Sequence, residues 1–212
     1  MRIKLLAVAS AAFIACAASA NAGTLALDIG PGAGDYGGSV WNLGWSFTVN
    51  STVTAVGLGN WAGASFPQDQ QVGLWDSAGT LLASSYVSNA DALVGTGPWR
   101  FAVIAPVTLV AGQTYVVGGE GGADYTGNEG VGTVTIDPRI TYGTDLYTYN
   151  GGANSPLVEP TSTESRPYGW FGGNVELGAA VPEPAAWSLM LVGIGGLGGL
   201  MRARRPQVAA TA

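Results

Sequence analysis

Between Val40 and Val49 the chain reads V-W-N-L-G-W-S-F-T-V, which from Trp41 onward alternates without a break between apolar and small or polar residues. Residues two apart on an extended strand share a face. Trp41, Leu43, Trp45, Phe47 and Val49 therefore make one apolar face, and Asn42, Gly44, Ser46 and Thr48 make the other. Such a segment is a half-buried strand with a defined core side, which assigns Trp41 and Trp45 to packing. No segment of the domain carries a convincing helical period. Short runs rich in valine, threonine and aromatics alternate with glycine, proline and aspartate turns, so the expected class is all-β, an antiparallel, jelly-roll-like β-sandwich.

Taken in order, strands are expected at Thr24 to Ile29, Val40 to Val49 and Thr52 to Leu58, the last two paired through an Asn50-Ser51 turn. Gly59 to Gln70 reads as a loop displaying Trp61 and Phe66. Gln71 to Trp75 and Thr80 to Val87 flank Asp76-Ser77-Ala78-Gly79, the best hairpin in the sequence, because aspartate bonds its own turn and glycine accepts positive φ. Trp75 is expected on a core face. Trp99 to Ile104, Val107 to Val110, Gln113 to Gly118, Val131 to Ile136, Arg139 to Tyr142, Leu146 to Tyr149 and Tyr168 to Leu177 complete the strand set. Gly119 to Gly130 and Gly151 to Pro167 are expected as loops.

The two ends have a different character. Arg2 and Lys4 precede an apolar run from Leu5 to Ala17, and both Ala18-Ser19-Ala20 and Ala20-Asn21-Ala22 satisfy the small-x-small rule. Residues 1–22 read as a secretory signal peptide, cut after Ala20 or Ala22, with the Sec translocon and signal peptidase as the implied partners. Phe13-Ile14-Ala15-Cys16 is a poorer, lipoprotein-type alternative. At the other end Pro182-Glu183-Pro184 is followed by an uncharged apolar run from Ala185 to Met201 and then by Arg202, Arg204 and Arg205. As a helix the run would span about 26 Å, just short of a hydrocarbon core of about 30 Å. The arginines would hold residues 206–212 in the cytoplasm and leave the domain of residues 23–180 outside.

This order of Pro-Glu-Pro, apolar helix and arginine cluster closely resembles the PEP-CTERM sorting signal, also known as the C-terminal domain of an ice-binding protein. The resemblance implies an exosortase partner that cuts near Pro182, Glu183 and Pro184. It further implies a Gram-negative host that makes exopolysaccharide, and delivery to the envelope or the extracellular matrix. Separately, V-G-L-W-D-S-A-G-T-L-L-A-S from Val72 and P-V-T-L-V-A-G-Q-T-Y-V-V from Pro106 resemble a domain of unknown function found in exported bacterial proteins. That resemblance implies a β-sandwich and no established activity.

Composition narrows the chemistry. The chain has no histidine, and Cys16, in the leader, is its one cysteine. Ser-His-Asp and Cys-His nucleophilic sites, and histidine- or thiolate-ligated metals, are therefore excluded from the mature region. Residues 23–180 carry thirteen acidic side chains against Arg100, Arg139 and Arg166, which makes nucleic acid a poor partner. Carboxylate chemistry remains. Glu120, Asp124 and Glu129 sit in a glycine-rich stretch that could gather around calcium, or, with a cleft between them, act as a glycosidase pair. Aromatics offer a second chemistry, since an exposed ring is a platform for a sugar. Trp61, Tyr147 and Tyr149 are the candidate glycan contacts. The expectation is a non-enzymatic surface or matrix protein without an obligate cofactor, weakly associating with exopolysaccharide. A carboxylate-dependent glycan hydrolase and a purely structural surface protein are its alternatives.

Overall fold

The structure, a computed structural model, describes residues 23–30, 33–36, 40–63, 69–120, 125–127, 133–149, 156–163 and 169–179. The leader with Ala20 and Ala22, the sorting tail from Pro182 to Arg205, and Asp124 and Glu129 lie outside the described residues. Among the described residues fifteen strands follow one another: β1 (Thr24–Leu25), β2 (Leu27–Ile29), β3 (Gly34–Tyr36), β4 (Trp41–Val49), β5 (Val53–Trp61), β6 (Gln70–Asp76), β7 (Leu81–Val87), β8 (Ala92–Val94), β9 (Trp99–Leu109), β10 (Thr114–Gly119), β11 (Tyr125–Gly127), β12 (Val134–Ile136), β13 (Ile140–Tyr149), β14 (Trp170–Phe171) and β15 (Gly173–Leu177). The all-β expectation is what the structure shows, and every strand pair is antiparallel.

Two five-stranded sheets dominate, in the orders β1-β15-β5-β9-β8 and β13-β4-β10-β6-β7. They contribute to one apolar cluster, in which Trp45, Phe47, Val72, Leu74 and Val117 of the second sheet meet Val53, Leu58, Phe101, Leu109 and Val175 of the first. Burying a side chain of this size is worth about 1.5–3 kcal/mol, so the alternation in β4 is what assigns its faces. The Trp45 indole also donates to the Gly173 carbonyl at 3.0 Å, which satisfies its one polar atom inside the core.

Arg139 to Tyr142 and Leu146 to Tyr149, expected as two strands, are the one strand β13, and the expected loop Gly119 to Gly130 contains β11. Three further strand expectations are corrected. The first concerns β4 and β5, which do not pair: β4 joins β10 and β13, while β5 joins β9 and β15, so the Asn50-Ser51 turn carries the chain from one sheet to the other. Second, the two strands expected on either side of Pro106 are one strand, β9. Ile104, Ala105 and Pro106 bulge out opposite Val56 alone, where proline's missing N–H leaves no ladder bond broken. The third correction is at the end of β5, which runs on to Trp61 and takes in the start of the expected loop. By contrast, the β6–β7 hairpin forms as expected. Asp76 Oδ1 accepts from the Ala78 and Thr80 amides, both at 2.9 Å, and Gly79 has φ of 80°.

The outer face of the second sheet carries a row of glycines. Gly118 of β10 stands opposite Gly44 of β4 on one side and Gly73 of β6 on the other. With no side chains to keep them apart, the segment 156–163 lies flat across this row. A Cβ on Gly118 would come within 2.7 Å of the Pro160 ring, and one on Gly73 within 2.8 Å of Leu157. Trp75 lies on this face too, over Gly73 and 4% exposed, not in the cluster between the sheets.

Candidate functional site

The exposed aromatic cluster is built where β4 begins and β13 ends. Tyr149 is registered directly opposite Trp41, and Tyr147 opposite Leu43. The Trp41 ring makes edge-to-face contacts with both tyrosines, centroids 5.5 Å from Tyr147 and 5.4 Å from Tyr149 at 84° and 76°. Trp41 is 39% exposed and Tyr149 64%, so large aromatic surface stays open to solvent. Trp41 has the parity of the core face, as expected, but stands at the end of its strand and escapes burial.

A bulge brings the tyrosines to that face. In β13, Tyr142 opposes Phe47 and Asp145 opposes Trp45, so Gly143 and Thr144 together face the single residue Ser46. The extra residue switches parity along the strand. Tyr142 before it and Tyr147 and Tyr149 after it thus share the side of Trp45 and Trp41. Ser46 pins the bulge, its hydroxyl accepting from the Thr144 amide at 3.1 Å.

The outer edge of β13 is held by the same segment that crosses the glycines. Tyr147 and Ser162 exchange both backbone hydrogen bonds, at 2.8 and 2.9 Å. Thr148 Oγ1 accepts from the Thr161 amide at 3.0 Å, and the Thr144 and Thr163 hydroxyls meet at 3.0 Å. The backbone that carries Tyr147 and Tyr149 is therefore bonded on both sides, and the rings are presented by a fixed support.

The remaining candidates fall elsewhere. Trp61 is corrected: it is 4% exposed, sits in the apolar cluster and packs edge-on against Trp99 with centroids 5.2 Å apart. Its strand continues past the expected turn and carries the ring inward. Of the acidic candidates, Glu120 directly follows β10 beside Gln71, accepting from the Gln71 amide at 3.3 Å and donating its own amide to the Gln71 carbonyl at 2.7 Å. Among the described residues no three acidic, histidine or cysteine side chains gather where a metal could be held.

Charge elsewhere is locally compensated or locally crowded. At Asp137, burial favours the protonated form. The side-chain and backbone hydrogen bonds of Arg139, with Thr24 and the guanidinium charge, outweigh it and hold the carboxyl at about 2. Glu159, in the segment over the glycine row, is pushed up by burial and by the nearby Asp76 carboxylate. Tyr147 and Tyr149 were legible from the sequence as a face-sharing pair. Trp41 was missed, because its alternation signals core, and the only hint of exposure was its place near the start of the expected strand.

Comparison with known proteins adds the family. Residues 30–166 match the family described as Domain of unknown function (DUF4082). The chain belongs to this family. Residues 180–205 match the PEP-CTERM protein-sorting motif. DUF4082 thus covers the strands from β3 onward through β13 and the crossing segment, and the sorting motif follows β15 after two residues. The motif marks an exported protein with exosortase as its processing partner. No curated protein and no solved structure matches the chain. Among the described residues no helix is long and apolar enough to cross a membrane.

Proposed function

We propose that this DUF4082 protein is a non-enzymatic envelope or matrix protein whose two main sheets form a jelly-roll-like β-sandwich, and that it associates weakly with extracellular polysaccharide through Trp41, Tyr147 and Tyr149. The observation that carries the reading is the solvent-facing aromatic cluster, set on bonded backbone by a bulge and a crossing segment. Pyranose rings offer apolar C–H faces, and aromatic rings offer flat apolar area with a polar edge. Three rings at this spacing suit one or two sugar units of a long chain, each contact weak and many repeats available.

In this reading the leader is removed on export, and the apolar run from Ala185 to Met201 anchors the precursor in the inner membrane. Exosortase then releases the domain near Pro184 to the cell surface or matrix. Affinity electrophoresis of the exported domain through gels containing exopolysaccharide from an exosortase-bearing host tests the binding. Retardation that disappears in Trp41→Ala/Tyr149→Ala supports the reading. Equal mobility with and without polysaccharide sinks it, and release of reducing sugar would replace it with hydrolysis.

A further inference from the structure

Glu176 of β15 is a half-buried acid with no cationic side chain shown beside it among the described residues. Its carboxylate lies over Gly57 of β5, where Oε2 stands 2.7 Å from the place a Cβ would take. It also lies against Gly23, where Oε1 stands 2.6 Å from the equivalent point. The Gly23 amide donates a hydrogen bond to it. Burial pushes this carboxyl up, and the amide draws it only part of the way back. The described residues hold two cationic side chains, and both are engaged elsewhere. Arg100 donates to the Asp91 carbonyl, while Arg139 pairs with Asp137 and donates to the Gly178 carbonyl and to Thr24 Oγ1. Even partial burial of a carboxylate without a counter-charge carries a desolvation cost, so a cation of another origin would be favoured here.

The sequence contains one. Ala20-Asn21-Ala22 satisfies the cleavage rule immediately before Gly23. We propose that the leader is cut between Ala22 and Gly23, and that the new α-ammonium of Gly23 pairs with the Glu176 carboxylate, so that maturation itself supplies the counter-charge. Water adds across the amide: the acyl carbon of Ala22 leaves as a carboxylate, and the Gly23 nitrogen keeps its bonding pair and takes up protons. The nitrogen that donates as a neutral amide in the precursor then donates as a cation, since a free α-amine has a pKa of about 7.7–8.0. A cut after Ala20 would place that charge two residues away.

The other groups around this nitrogen are accounted for. Asp137 and Arg139 bond each other and Thr24. Asp28, which lines the same groove as Gly23, accepts from the Thr96 amide and hydroxyl and from the Gly97 amide. Gly57 brings no titratable side chain. The pair raises the amine's folded pKa above its unfolded value, so while Glu176 is ionised its contribution is complete below about pH 7.7 and is lost as pH rises through the raised value. It is lost again in acid as the Glu176 carboxyl, itself pushed up by burial, takes up a proton.

The mature chain has no lysine, so this α-amine is its one amine and can be probed selectively. The experiment exports the full chain with its own leader, reads the N-terminus by intact mass, and follows acetylation of the amine against pH in the mature protein and in Glu176→Gln. The expected result is a chain beginning at Gly23 whose amine acetylates about three- to tenfold more slowly near pH 8 than in Glu176→Gln. Where Glu176→Gln does not fold, urea-unfolded mature protein serves as the fast reference. A chain beginning at Asn21 or Cys16, or equal acetylation rates in the paired and reference samples, overturns the proposal.

Discussion

Trp41 and Tyr149 stand directly opposite each other on neighbouring strands, ring centroids 5.4 Å apart with planes at 76°. Their contact is shared across the sheet edge while both rings stay open to solvent. Replacing Tyr149 by alanine should leave the fold intact, since the ring is mostly exposed, while polysaccharide affinity falls about tenfold. Trp61→Ala should do the reverse and cost about 3–5 kcal/mol of stability, the loss expected for a buried aromatic. Thermal unfolding and affinity electrophoresis on both variants separate the two effects.

The glycine row admits no side chain. Gly44→Ala would drive a Cβ into the Val117 carbonyl oxygen and to 2.9 Å from the Pro160 ring, and backbone cannot yield as a flexible side chain can. A loss of about 1–3 kcal/mol is expected, read by urea denaturation. Gly118→Ala meets the Pro160 ring at 2.7 and 2.8 Å, so it should lift segment 156–163. Uncovering Trp75 would then shift tryptophan emission to the red, whereas unchanged emission would show that the segment accommodates the methyl.

Arg139 and Asp137 set an acid limit. Asp137 is held at about 2, below its ordinary value of 3.8. A depressed carboxyl contributes stability above its unfolded pKa, and that contribution is lost as pH falls through the folded one. Stability should therefore decline between about pH 4 and pH 2. In Arg139→Ala that part of the decline should flatten and neutral stability should drop, both measurable as unfolding midpoints across pH.

Glu159 works in the opposite sense. Burial and Asp76 raise its carboxyl, so the ionised form strains the native state and protonation relieves it. Glu159→Gln should be neutral or slightly stabilising at pH 7 and without effect below pH 4. A clear loss of stability at pH 7 would mean that Glu159 holds an attractive contact instead.

Local signals carried part of this fold. Asp76 and Gly79 make the β6–β7 turn with their own atoms, so four residues sufficed to place it. The faces of β4 followed from alternation for the same reason. What the sequence could not convey were relations between distant segments. The crossing from β4 to β5 between sheets leaves no trace in either strand's pattern. Gly44, Gly73 and Gly118 become a row only through pairing, and Trp41 and Trp61 exchanged their expected environments because exposure depends on where each strand begins and ends. The β13 bulge, which decides where Tyr147 and Tyr149 point, needs Ser46 as its partner.

The pairing of β1 with β15, Thr24 opposite Leu177, joins the first described strand to the last. β15 also lies between β1 and β5, so the first sheet stays split until that strand has been delivered. An exported chain emerging N-terminus first can therefore assemble hairpins such as β6–β7 early but cannot seal its domain until nearly all of it has crossed. The sorting motif begins three residues after Leu177, so it arrives as the domain closes. On an N-terminus-first route, the strand that completes the first sheet and the sorting motif would therefore emerge almost together, a timing set by strand order.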